Sequence, residues 1–210
     1  MVLPAASLEL VSVQRIWDQA PHSAFGDIIR FRDQFFCVFR EGRWHVAKPG
    51  EEDDGKLRVI TSKDGDAWRP AALIAEKGID LRDPHLSITA GNRLMIVAGG
   101  SRYPNGVYEG RQPRVFFSQD GSTWTKPHPV LEEGHWLWRV TWNKGRAWGV
   151  SKYSTLGKEI TAESRRTRLV SSADGVEWKT AAEFGQEFTF GAVGILRRPA
   201  RHVQLLGLLP

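Results

Sequence analysis

The chain has 210 residues, enough for one large domain or two small ones. Apolar residues make up 41% and charged residues 25%, close to the globular average, which excludes a disordered or collagen-like polymer. Its net charge of +5 comes from 29 basic and 24 acidic residues mixed along the chain, a weak pull on anions and not a nucleic-acid groove, and no apolar run is long enough for a membrane-spanning helix.

Residues 1–7 carry only the small-residue end of a secretory leader, so the chain as written is expected in the cytoplasm, or outside it if the start lies within a longer precursor. Residues 8–16 alternate apolar and polar side chains like a half-buried strand, then break at Asp18 to Pro21. The single cysteine, Cys37, cannot form an internal disulfide and sits in an apolar strand-like run as inert core.

The organising feature is a repeat. Ser62, Asp64, Gly65 and Trp68 fit S-x-D-G-x-x-W, as do Ser118, Asp120, Gly121 and Trp124, and Ser172, Asp174, Gly175 and Trp178. The aspartates are 56 and 54 residues apart. In such a heptapeptide the aspartate accepts local backbone N–H groups, the glycine takes positive φ without a steric penalty, and the indole folds back over the turn. Strand-like runs flank each copy, so the copies are hairpin turns; Asp64 and Asp66 lack the further ligands of a calcium loop.

Between the turns lie further hairpins: 27–31 with 35–39, 86–88 with 94–97, and 140–142 with 147–150. Each period therefore holds four short antiparallel strands, the arrangement of propeller blades. Arg165 to Arg168 form a basic run read as a solvated loop before a strand. The histidines show no metal-ligand spacing with one another or with Cys37, and no Gly-rich phosphate loop appears, so neither metal nor cofactor is expected.

The three turns, together with the run Phe39 to Arg43, the run Asp80 to Pro84 and the run Trp136 to Trp142, resemble the sialidase-like, Asp-box (BNR-repeat) six-bladed β-propellers. The resemblance covers roughly residues 8–190. It implies an all-β propeller of four-stranded antiparallel blades and a glycoside hydrolase acting on terminal sialic-acid-like sugars. The alternative is a non-catalytic propeller that binds carbohydrate or protein. Sialidases of this fold clamp the substrate carboxylate with three arginines, and use an aspartate acid/base and a tyrosine nucleophile paired with a glutamate. The first of those arginines is absent, because the matching stretch here runs from Phe25 to Ile28. The tyrosine and the later arginines belong to the family's last blades, beyond Pro210.

The whole chain is read as a single propeller domain, 1–210. Residues 1–23 form an N-terminal segment with a closing strand, 24–80 blade one, 81–135 blade two and 136–185 blade three. Residues 186–210 form part of a fourth blade or an aberrant tail. At about 54 residues per blade a six-bladed ring would need more than ~300 residues. An incomplete ring of three to four blades is expected, with little or no activity of its own and with exposed blade edges that favour self-association.

In a propeller the innermost strand of each blade faces the central channel. The innermost strands offer Asp27, Arg82, Asp83, Trp138 and Arg139. The end of blade one's second strand, expected near the same mouth, offers Arg40, Glu41, Arg43 (in a Glu-Gly-Arg that resembles the sialidase run) and His45. Of these the candidate catalytic residues are Asp27, Glu41 and Asp83, and the candidate substrate-binding residues are Arg40, Arg43, His45, Arg82, Trp138 and Arg139. The alternative for each is an inter-blade ion pair or strand-end cap. The expected ligand is a glycan or other small carbohydrate. Trp136 or Trp138 is a candidate sugar-stacking platform, whereas Trp142 and Trp148 are expected in inter-blade packing.

Overall fold

The computed structural model describes residues 10–51, 54–154, 165–184, 193–197 and 203–207. The protein is all-β. Its first sheet takes β1 (His22–Phe31), β2 (Gln34–Gly42), β3 (Lys56–Ser62) and β4 (Arg69–Ile74) in chain order. The second takes β5 (Asp80–Ile88), β6 (Leu94–Arg102), β7 (Gly110–Ser118) and β8 (His128–Pro129), with one 3-10 turn at Pro104–Gly106 before β7. The third takes β9 (His135–Asn143), β10 (Arg146–Ser154), β11 (Arg165–Ser172) and β12 (Trp178–Phe184). A two-stranded ladder of β13 (Val193–Arg197) and β14 (Val203–Gly207) follows, with β13 against β9 and β10.

Each four-stranded sheet is an antiparallel meander, and the first strands meet: β1 packs on β5 and β5 on β9. This is propeller geometry, with the sheets radiating from their first strands and not closed into a ring. The middle sheet is packed on both faces. Leu94, Ile96 and Ala98 of β6 join Val38, Leu57 and Val59 of the first sheet, while Met95 and Val97 join Leu137, Val140 and Val170 of the third. Burial on both faces accounts for the unbroken apolar run of β6, its Leu, Met, Ile and Val side chains each contributing roughly 1.5–3 kcal/mol.

The three S-x-D-G-x-x-W turns have one geometry and join the third and fourth strands of each sheet. In the first, Asp64 Oδ1 accepts the N–H groups of Asp66 and Ala67 and the Ser62 hydroxyl, each at 2.9 Å, and Trp68 Nε1 donates to the Gly65 carbonyl at 2.7 Å. Asp120 accepts from Ser122 and Thr123, and Asp174 from Val176 and Glu177, in the same way. The three glycines have φ of 89°, 79° and 84°, the left-handed region that favours glycine. Backbone N–H donation from Ala67 and Asp66 holds the Asp64 carboxyl down at about 2, and donation from Thr123 and Ser122 does the same for Asp120.

Two expectations are corrected. Residues 10–16 form no strand; the part of the expected closing strand before residue 10 lies outside the described residues. A strand needs a ladder partner, and no described strand pairs with 10–16. Leu10, Val11 and Val13 are exposed, and only Ile16 and Trp17 pack down, onto Cys37, Phe39 and Ile60. The basic run at Arg165 is not a loop either. It opens β11, where Arg166 and Arg168 pair with Glu183 of β12.

Candidate functional site

The three innermost strands share an irregularity. In each, two residues oppose one on the next strand: Phe25 and Gly26 in β1, Asp83 and Pro84 in β5, Trp138 and Arg139 in β9. Bulges of this kind re-aim side chains and are over-represented beside active sites. Phe25 and Asp83 have φ of 60° and 45°, backbone states that cost a non-glycine residue energy and that gather where function requires a fixed direction.

Asp83 and Trp138 thereby come to line one cleft of about 270 Å³ between the second and third sheets. Its aromatic walls are Trp136 and Trp138, edge to face at 5.8 Å, and the tilted pair Tyr103 and Tyr108 at 5.5 Å. Its cations are Arg82, Arg111 and Lys152. Arg111 lies over the Trp136 ring, 5.4 Å from its centroid, a geometry in which the ring quadrupole favours the charge.

Two buried polar atoms at this cleft lack a hydrogen-bond partner: Asp83 Oδ1 and Trp138 Nε1. Buried polar groups are nearly always satisfied, and these are an acceptor and a donor on two residues that line one cavity. Burial pushes the Asp83 carboxyl above its ordinary range, against the pull of Arg82, His85 and His45. Burial likewise raises the Tyr108 phenol, which opposes its ionisation as a nucleophile.

The other expected carboxylates lie elsewhere. Asp27 ties three strands together: Oδ2 accepts the Leu86 N–H at 2.8 Å and lies 3.5 Å from His85 Nδ1, while Oδ1 accepts from Arg139 Nη2 at 3.0 Å. Burial works against its ionisation, but His85, the Leu86 N–H and Arg139 outweigh that and hold the carboxyl below its usual range. His85 Nδ1 is also 3.1 Å from Arg139 Nη2. Glu41 is occupied by Trp17 Nε1 at 2.6 Å and by both ends of the Arg58 fork at 3.0 and 3.2 Å.

Of the expected binding residues, Arg82 and Trp138 line the cleft and Arg139 caps Asp27 beside it. Arg40 has no solvent exposure. Its Nε donates to Asp80 at 2.7 Å and its Nη1 to the Trp44 carbonyl at 2.8 Å, so it braces the site from behind and meets no ligand. His45 holds Arg82, whose Nη1 donates to the His45 carbonyl at 2.9 Å and whose Nη2 lies 3.3 Å from His45 Nε2. Arg43 is exposed, 3.6 Å from Glu51. Tyr103, Tyr108, Arg111 and Lys152 were not anticipated. They sit on the loop after β6, on β7 and on β10, and carry no local motif that marks them as neighbours. Among the described residues no group of three or more His, Cys, Asp or Glu side chains is arranged to hold a metal.

No family model and no curated protein matches the chain. Solved structures match its fold. A family 117 glycoside hydrolase of the marine bacterium Zobellia galactanivorans aligns at TM-score 0.55 and 17% identity over 76% of this chain and 46% of its own. An α-L-arabinanase of Penicillium chrysogenum aligns at 0.57 and 15% over 78% and 49%, and a GH32 β-fructofuranosidase of Bombyx mori at 0.57 and 13% over 84% and 39%. The chain spans less than half the length of each. The shared feature is the fold: a β-propeller of the kind found in glycoside hydrolases.

Proposed function

We propose that this protein is a sialidase-like propeller whose cleft recognises a terminal acidic sugar, and that these residues bind such a sugar with little or no hydrolysis. The observation that carries the reading is the lining of the cleft. Three cations and two tryptophans line it, and behind them Asp83 Oδ1 and Trp138 Nε1 are buried without a hydrogen-bond partner. A carboxylate is matched by Arg111 and Lys152, and sugar C–H faces by the indoles. Turnover is not expected. Among the described residues Asp83 is the only carboxylate in the lining, and the lining phenol that burial perturbs is held protonated.

A glycan panel tests the reading. Carboxylated sugars should be retained over neutral ones, and Asp83→Ala and Lys152→Ala should each weaken that retention; equal retention of neutral glycans, or none of any kind, overturns it. A second reading is hydrolysis with Asp83 as proton donor, favoured by its raised carboxyl. Release of fluorophore from a sialoside, lost in Asp83→Asn, would establish that reading in place of the first.

A further inference from the structure

A second hollow of about 280 Å³ adjoins the cleft, and Tyr103 lines both. Its walls come from the β4–β5 turn (Lys77, Gly78), the stretch before β3 (Asp54) and the loop that flanks Tyr103 (Arg102, Glu109). The charge differs sharply between the two compartments. The first presents three cations against one carboxyl. The second presents Lys77 and Arg102 against Asp54 and Glu109, so it is balanced.

The shared wall is built and not incidental. The Val107 N–H donates to the Pro104 carbonyl and the Glu109 N–H to the Arg102 carbonyl, each at 3.0 Å, closing the loop on itself. The loop is also docked on the first sheet's side. The Gly50 N–H donates to the Asn105 carbonyl at 3.0 Å, and Gly106, at φ 75°, lies so close to the Lys48 carbonyl that a Cβ there would overlap it. Arg102 is fixed between Glu109 and Glu133, and Asp54 Oδ2 accepts the Gly78 N–H at 2.8 Å. Charges of both signs, Arg102 and Glu109 paired, Asp54 held by the Gly78 N–H and Lys77 exposed at its turn, offer donors and acceptors to hydroxyl groups while attracting no net charge.

We propose that the site continues past Tyr103 and takes the next, uncharged sugar of a glycan, so that it reads at least a disaccharide ending in an acidic residue. This rests on the acidic-sugar reading of the first compartment. Titration calorimetry with methyl α-sialoside and with sialyl-lactose separates the two. The trisaccharide should bind about tenfold more tightly than the monosaccharide, the gain expected from one or two added hydrogen bonds. Lys77→Ala, at an exposed turn, should remove most of that gain. Equal affinity of the two sugars, or a gain that Lys77→Ala leaves intact, overturns the second compartment alone. Failure of both sugars to bind overturns the acidic-sugar reading and this inference with it.

Discussion

Arg40 and Asp80 form an ion pair with almost no access to water: Arg40 Nε donates to Asp80 Oδ1 at 2.7 Å, with side-chain exposures of 0% and 2%. The other carboxylate oxygen accepts from Arg82 Nη1 at 3.0 Å. A buried charge is tolerated only when paired, and here the pairing links β2 of the first sheet to β5 of the second and sets Arg82 beside Asp83.

Asp80→Ala should therefore cost about 3–5 kcal/mol in urea unfolding, because it leaves Arg40 charged, buried and without its carboxylate. The double change Arg40→Met with Asp80→Leu should recover only part of that loss, since it replaces the buried pair by apolar groups but leaves Arg82 without Asp80. A loss under 1 kcal/mol in the single variant would contradict the assignment.

The three repeated turns differ in their surroundings. Gly65→Ala meets nothing nearer than the Phe35 ring at 3.9 Å, so it should cost only the positive-φ strain, about 1 kcal/mol. At Gly121 the added Cβ would also overlap the Phe36 ring, so Gly121→Ala should cost a further ~1–3 kcal/mol from overpacking. Thermal unfolding of the two variants side by side reads the difference.

Asp83 should trade stability against function. Its carboxyl is raised in the folded state, so the stability it allows is full below the ordinary aspartate range and falls as pH rises through the raised value. Asp83→Asn should melt higher than the parent at pH 7, match it near pH 4, and bind sugar more weakly. Equal melting curves at both pH values would contradict the burial argument.

Asp27 has the opposite sign. Held below its usual range, it stabilises the fold above that range and loses the contribution as pH falls through the lowered value. Asp27→Ala leaves the Leu86 N–H without its acceptor and should cost about 1–3 kcal/mol, whereas Arg139→Ala, at a 45% exposed guanidinium, should cost no more than about 1 kcal/mol. Acid unfolding of Asp27→Asn should be less steep than that of the parent.

The turns were legible from sequence because their chemistry is local: serine, aspartate, glycine and tryptophan satisfy one another within seven residues. Strand order followed, since each turn fixes its flanking pair. The closing strand was misread because alternation shows which face could be buried and not whether a ladder partner exists. Asp83, Arg82 and Trp138, singled out from their place on innermost strands, line the cleft. Tyr103, Tyr108, Arg111 and Lys152 were not, because only folding joins β6, β7 and β10 around one cleft. Arg40 and Glu41 stood near the same mouth in sequence, but their partners, Asp80 and Arg58, are 40 and 17 residues away.

The cleft between the second and third sheets is proposed to hold a sugar by its carboxylate. Calorimetric titration of methyl α-sialoside against its methyl ester measures this most directly, because the ester keeps the ring and removes the charge. The acid should bind at least about tenfold more tightly, and Arg111→Ala with Lys152→Ala should erase the preference. Equal binding of acid and ester, or a preference that survives loss of both cations, would contradict it.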